Sequence, residues 1–269
     1  MSGRLSAIVA FRLTTALPQR LLQFYESIGF SAAPPVAMTP EDMALLELEG
    51  RGTRIALRVG SQRIELESFD QKGRPYPENS TAADLCFQHL ALVTRDAEAA
   101  WERARAHGAT PISTEGAVTL PVSAGGVTAA KLRDPEGHPL EFLQFPSAAG
   151  SREHRECVLG IDHSAISVAD AGGSQRFYEA LGLRAGHPTL NDGPTQAALD
   201  GSPDVRVDVV PMSPEISTPH LELLGYRNPI GRPASRSSAN DVAATRIVWR
   251  SDRNSLLRDP DGHLHLLMR

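Results

Sequence analysis

The stretch KLRDPEGHPLEFLQFP, residues 131–146, and its near copy SLLRDPDGHLHLLMR, residues 255–269, decide how this chain is built. Each sets Asp-Pro-acid-Gly-His between two apolar runs. Proline fixes its own φ and glycine accepts a positive φ, so both stretches read as tight turns closing β-hairpins. The strands that follow are not equivalent, because the first carries Glu141 where the second carries Leu266. The turn is a structural device, and the carboxylate after it is a separable feature.

Working outward, the same duplication recurs. LLQFYESIGF (21–30) and SQRFYEALGL (174–183) match at Phe24, Tyr25, Glu26 and Gly29 against Phe177, Tyr178, Glu179 and Gly182, 153 positions apart. One half of the chain copies the other. Leu17, Leu21, Leu22, Tyr25 and Ile28 share one helical face, and Gly29 and Gly182 are natural left-handed stops, so each match closes an amphipathic helix. Short strands precede the helices, SAIVAFRL and GIDHSAISV. The runs MALLELEG (43–50), TRIALRVG and RIELESF read as three strands after the first helix, giving a unit of one strand, one helix and three strands.

A second unit starts at CFQHLALVTRD, continues through a helix capped by Asp96 and stopped by Gly108, and ends in the 131–146 hairpin. A third begins at Gly160. GRPASRSSAN (231–240) echoes GRPYPENSTA (73–82) as the joint into a fourth. That fourth unit is short: 38 positions separate Asp96 from Asp134, but only 7 separate Asp252 from Asp259, too few for a helix and a strand. PSAAGSREHREC between the halves has no strand or helix period and reads as a linker. The expected organisation is therefore a first domain over 1–146 with two units, a linker over 147–158, and a second domain over 159–269 with one full and one truncated unit.

A net charge of −5, without a basic run, argues against nucleic acid or an anionic membrane as partner and for a small molecule. No window approaches the roughly 18 apolar residues of a membrane helix, and the N-terminal stretch lacks a signal-peptide pattern, so the expectation is a cytoplasmic monomer or homodimer. Cys86 and Cys157 lack CxxC spacing and read as reduced thiols. No GxSxG elbow, Gly-rich phosphate loop or HExxH is present.

Four strand-helix-three-strand units, FYEALGL after a first strand and RDPEGHPLEF in a last hairpin together resemble the vicinal oxygen chelate superfamily of glyoxalases, extradiol dioxygenases and bleomycin-resistance proteins. The resemblance implies an α+β fold of tandem βαβββ modules forming cupped mixed sheets. It also implies that each unit can offer one metal ligand from its first strand and one from its last. Carried over, these positions are Ala10 and Glu65 in the first unit, His89 and Glu141 in the second, and His163 and Glu222 in the third. In the fourth they are Thr245, or Arg246 with one gap, and Leu266. Pairing the two inner units would collect His89, Glu141, His163 and Glu222 in one cup and leave all the losses in the other. Pairing neighbours would instead put Glu65 with His89 and Glu141. The inner pairing explains why the ligands vanish together.

Two imidazoles and two carboxylates suit a divalent ion such as Zn, Ni, Co, Fe(II) or Mn. The resemblance then implies a glyoxalase-like lyase or isomerase that stabilises an enediolate of a small vicinal-oxygen substrate, with Glu141, or else Glu222, carrying the proton. An extradiol Fe(II) dioxygenase using His89, His163 and Glu141 is the alternative, and a metal-free small-molecule or antibiotic-binding protein is a third. His220 reads as a neighbour of Glu222, His138, His263 and His265 as non-ligands, and Glu67 as half of a solvated pair with Glu65.

Overall fold

The computed structural model describes residues 3–148 and 157–269. The first unit comprises β1 (Ala7–Thr14), α1 (Pro18–Ser27), β2 (Ser31–Ala32), β3 (Val36–Ala37), α2 (Pro40–Leu45), β4 (Gly52–Val59) and β5 (Gln62–Phe69). The second comprises β6 (Gln88–Thr94), α3 (Ala97–Ala106), β7 (Thr110–Pro111), β8 (Val118–Thr119), β9 (Thr128–Arg133) and β10 (Pro139–Gln144). The third comprises β11 (Val158–Ser167), α4 (Ala171–Ala180), β12 (Arg184–Ala185), β13 (Thr189–Asp192), α5 (Gly193–Asp200), β14 (Arg206–Ser213) and β15 (His220–Asn228). The fourth is β16 (Arg246–Arg250), β17 (Ser255–Arg258) and β18 (Leu264–Met268), with no helix among its described residues.

Two mixed sheets result, and each takes one unit from either half of the chain. One runs β17-β18-β16-β1-β5-β4-β2, joining the fourth unit to the first, and the other runs β12-β14-β15-β11-β6-β10-β9-β7, joining the third to the second. At the centre of each, the two first strands pair antiparallel, β1 with β16 and β6 with β11. The domain boundaries expected from the sequence follow the covalent repeat, whereas the sheets cut across it. Most of the expected linker, 149–156, lies outside the described residues.

The repeated motifs explain how the sheets are fastened. Asp134 of the first turn accepts the backbone N–H groups of Glu136, Gly137 and His138. It also accepts the Tyr25 hydroxyl at 3.1 Å and His138 Nδ1 at 2.9 Å, while His138 Nε2 donates to the Thr14 carbonyl at the end of β1. Burial opposes a charge on His138, but Asp134 overrides it and raises the imidazole pKa. In the second copy Asp259 accepts from Tyr178 at 2.9 Å, and His263 donates to the Ser167 carbonyl. The Tyr of FYE and the Asp-His of the turn are thus one device that ties units of opposite sheets within each half. Such a network is costly if left half made, so its members recur together. His265, in turn, accepts from Trp249 and donates to Tyr178. None of these three histidines belongs to a cluster of described residues that could hold an ion.

The two joints cross and clamp each other. Arg74 pairs with Asp241, and Arg232 with Asp84, each at 2.6 Å, and each Asp also accepts its partner's backbone N–H. A Cβ on Gly73 or Gly231 would collide with the backbone of the opposite joint, at Asn240 and Ala83, so only glycine permits the crossing.

One expected strand is absent. Residues 43–50 form the end of α2 and the turn after it, because Thr39 and Asp42 make a reciprocal capping box with Pro40 at the first helical position. Such a cap is worth about 1 kcal/mol, enough to direct a short segment whose apolar run fits either period. The strand expected there is supplied by β2 and β3, which pair with β4.

Candidate metal centre

The inner cup is built by register. Parallel pairing sets Ala91 opposite Glu141 and Ala165 opposite Glu222, while antiparallel pairing sets His89 opposite Ala165 and His163 opposite Ala91. Side chains two residues apart share a strand face, so both histidines and both glutamates project to the same side. Alanine on the paired strands leaves room between them. His89, His163 and Glu141 are all 5 % exposed or less.

The donor atoms converge. His89 Nε2 is 3.1 Å from Glu141 Oε2 and 3.3 Å from His163 Nε2, which lies 3.7 Å from Glu141 Oε2 and 3.4 Å from Glu222 Oε2. An ion with bonds of about 2.1 Å sets neighbouring donors about 3.0 Å apart at right angles and about 3.4 Å apart in a tetrahedron. The spacing therefore fits a divalent ion. His89, Glu141 and His163 form the tight set, every donor within 4.8 Å of the others, and Glu222 touches it only through His163. These residues fit a metal by chemistry as well, since two imidazole nitrogens and a carboxylate converging on one point are a donor set that suits a borderline divalent ion.

Three supporting residues escaped the sequence reading. Asp162 accepts His163 Nδ1 at 2.9 Å, which fixes the tautomer that points Nε2 into the cup. Strict alternation would send Asp162 to the other face, but β11 bulges between Ile161 and His163 and returns it. Lys131, buried at 4 %, faces Glu141 across the hairpin, with Nζ 3.9 Å from Glu141 Oε1 and 2.7 Å from Asp200 Oδ1. Asp200 ends α5 and also accepts from Gln196 and Tyr226, each at 2.9 Å. A side chain on Gly201, at φ +62°, would strike the Ile112 carbonyl, so glycine lets α5 dock on the second unit. The Lys131 signal was present in the sequence, because a turn centred on Pro135-Gly137 pairs 131 with 141. No pattern announced Asp200.

Burial sets the protonation states against the local charges. Burial lowers the His89 pKa, so this imidazole is neutral, and its Nδ1 has no partner among the described residues. Burial also opposes a charged His163, but Glu222 and Asp162 raise its pKa to about 9. Burial would raise the Glu141 carboxyl, and Lys131 overrides it and holds the group below the usual range. Glu222 is lowered against burial by His163 and His220. His220 Nε2 stands 3.4 Å from Glu222, beside the cluster rather than in it. A cavity of about 270 Å³ opens over the donors, walled by Leu120, Phe145, Val207, Leu224 and Tyr226. Phe87 and Phe142 are wholly buried and take no part in that wall.

Among the described residues the outer cup holds no such set. Register places Ala10 and Arg246 at the two first-strand positions and Glu65 and Leu266 at the last-strand ones, so the one-gap alignment applies and Thr245 drops out. Leu266 packs with Ala10, Met38, Met43, Phe69 and Val248. Glu67 is not solvated but fully buried, paired with Arg246 at 2.8 Å and with Arg54 at 2.7 Å. Glu65 pairs with Arg12 at 2.7 Å. Guanidinium groups stand in this cup where an ion would neutralise the carboxylates.

A family model described as Glyoxalase/Bleomycin resistance protein/Dioxygenase superfamily matches residues 7–142. Among solved structures, glyoxalase I from Zea mays is 18 % identical with a TM-score of 0.57, over 99 % of this chain and 92 % of that one. A putative dioxygenase from Bacillus subtilis is 10 % identical with a TM-score of 0.58, over 98 % and 85 %. At these identities the likeness is one of fold. No curated protein matches.

Proposed function

The chain belongs to the glyoxalase/bleomycin resistance protein/dioxygenase superfamily, and on that footing we propose that it is a divalent-metal enzyme of glyoxalase type, a lyase or isomerase for a small substrate with adjacent oxygens. The observation that carries the reading is the convergence of His89, His163 and Glu141 within 4.8 Å under a cavity of substrate size, with a second carboxylate, Glu222, at its wall. His89, His163, Glu141 and Glu222 would hold the ion. When bound, the metal supplies Lewis acidity that polarises the substrate oxygens.

The remaining chemistry belongs to the chain. A carboxylate must take a proton from carbon and return it next door, and Glu141 and Glu222 both reach the donor cluster. Lys131 and the hairpin restrain Glu141 and keep it anionic, which weakens it as a base. Among the described residues Glu222 pairs only with the imidazoles of His163 and His220, and its side chain is 19 % exposed against 7 % for Glu141, so it is the freer of the two to shuttle. Leu120, Leu224 and Phe145 exclude water from the reacting end.

Wild-type protein loaded in turn with Zn, Ni, Co and Mn, given 2-oxoaldehyde thiol adducts and α-hydroxyketones in D₂O, should exchange the carbon-bound proton by NMR. Glu222→Gln should lower that exchange at least a hundredfold while keeping metal. The tight two-His, one-carboxylate set favours one other reading, an extradiol Fe(II) dioxygenase. Oxygen uptake with catechol and ferrous iron, without proton exchange, would replace the first reading with it. Tight retention of an organic ligand by metal-free protein, without turnover, would replace both with a binding protein.

A further inference from the structure

The larger cavity is in the other cup. It measures about 720 Å³, opens along the concave face of the sheet formed by the first and fourth units, and is independent of the metal reading. Its floor carries Ala10, Arg12, Val248 and Met268, and Arg63 and Arg250 flank it, with Ile216 and Pro219 as an apolar lip from the third unit.

Two features make this more than a void left by a lost site. First, the cup carries surplus positive charge: Arg12, Arg54, Arg63 and Arg246 face three carboxylates, those of Asp42, Glu65 and Glu67. Arg250, at the rim, adds another cation and makes no side-chain hydrogen bond among the described residues. Second, the cations nearest the cavity keep donors in hand. Arg12 is 5 % exposed and spends Nε on Glu65 at 2.7 Å, yet neither of its terminal nitrogens donates to a described residue. Arg63 brings Nε to 3.1 Å from Glu65 Oε1, but off the bond direction, so that buried nitrogen has no hydrogen bond. Unspent guanidinium donors in a partly desolvated pocket recognise planar or tetrahedral oxyanions, two N–H groups at a time.

We propose that the outer cup is a binding site for a small organic oxyanion, a carboxylate- or phosphate-bearing metabolite. Arg12 and Arg63 grip the charged group, Arg250 attracts it at the rim, and Val248, Met268, Ile216 and Pro219 cover the apolar remainder. The chain then has two cups of one ancestry, one binding through imidazole and carboxylate, the other through arginine.

The test is isothermal titration calorimetry of the full chain with succinate and, separately, inorganic phosphate, at ionic strength matched with sodium chloride. The proposal expects saturable binding of one of them, one equivalent per chain, the better probe naming the head group. Arg63→Gln, at a side chain about a third exposed, should weaken it at least tenfold, and Arg250→Gln at an exposed rim position severalfold. His163→Ala, in the other cup, should bind within twofold of wild type. Flat titrations with both probes, unchanged affinity in a folded Arg63→Gln, or loss on His163→Ala instead would each overturn it. Circular dichroism on every variant separates lost binding from lost fold.

Discussion

Lys131 and Asp200 join the two units of the inner cup, and their pairing can be weighed by a double-mutant cycle. Lys131 Nζ lies 2.7 Å from Asp200 Oδ1, with side chains 5 % and 0 % exposed, so neither charge can turn to water if its partner is removed. Breaking a buried pair from one side costs about 3–5 kcal/mol, most of it the unpaired charge left behind. Lys131→Met leaves Asp200 with only the neutral donors Gln196 and Tyr226. Asp200→Asn leaves Lys131 with Glu141 alone, at 3.9 Å. Each single variant is therefore expected to lose about 3 kcal/mol, near 1 M in urea midpoint if the slope is about 3 kcal/mol/M. The double variant removes both charges and should lose little more than either single one, a coupling of about 2–3 kcal/mol. Urea unfolding followed by circular dichroism measures all four corners. Additive losses, summing to about 6 kcal/mol in the double variant, would refute the claim that this ion pair fastens the third unit to the second.

Three further outcomes are expected. Asp162→Ala frees the His163 ring and should weaken divalent-metal binding 10- to 100-fold in competition with a chromophoric chelator, with the fold intact; equal affinity would mean the bulge has no role in the site. Asp84 sits against burial at about 2 because Arg232 holds it, so its folded pKa is depressed. Its stabilisation is present above the unfolded value near 4 and is lost as pH falls through about 2, a contribution on the order of 1 kcal/mol once the exposure of Arg232 is allowed for. The gap in thermal midpoint between wild type and Asp84→Asn should thus be open at pH 5 and closed near pH 2. Glu67→Gln leaves fully buried Arg246 without its carboxylate and should lower stability by about 3 kcal/mol in urea, whereas a solvated Glu67 would make the change neutral.

The sequence carried the fold because its repeat is written in residues with fixed backbone duties. Pro135 and Gly137, Pro260 and Gly262, and the helix-stopping Gly29 and Gly182 can be read without tertiary context, and Gly29 and Gly182 do adopt φ of +114° and +98°. The convergence of His89, Glu141 and His163 was legible through the resemblance: it assigns one first-strand and one last-strand position to each unit, and with the four units aligned these three residues fall on such positions and meet in the structure. What escaped depends on local irregularities that override a period or on contacts remote in sequence. Residues 43–50 satisfy both periods, and the cap at Thr39, four residues before Met43, chose helix. Glu67 alternates like an exposed residue, but the strand it faces carries Arg246 from the far end of the chain. Asp162 was hidden by a bulge that breaks the alternation on which the reading relied. Lys131 was visible in hairpin arithmetic, yet its meaning needed Asp200, delivered by a helix that no apolar period marked.

The central claim is that one ion is gripped from both halves of the chain. Divalent-metal content by plasma mass spectrometry, on wild type, His89→Ala and His163→Ala purified side by side, tests it most directly. The account predicts about one equivalent per chain in the wild type and under a tenth of that in both variants. Equal metal in all three, or loss in His89→Ala but not in His163→Ala, would contradict it.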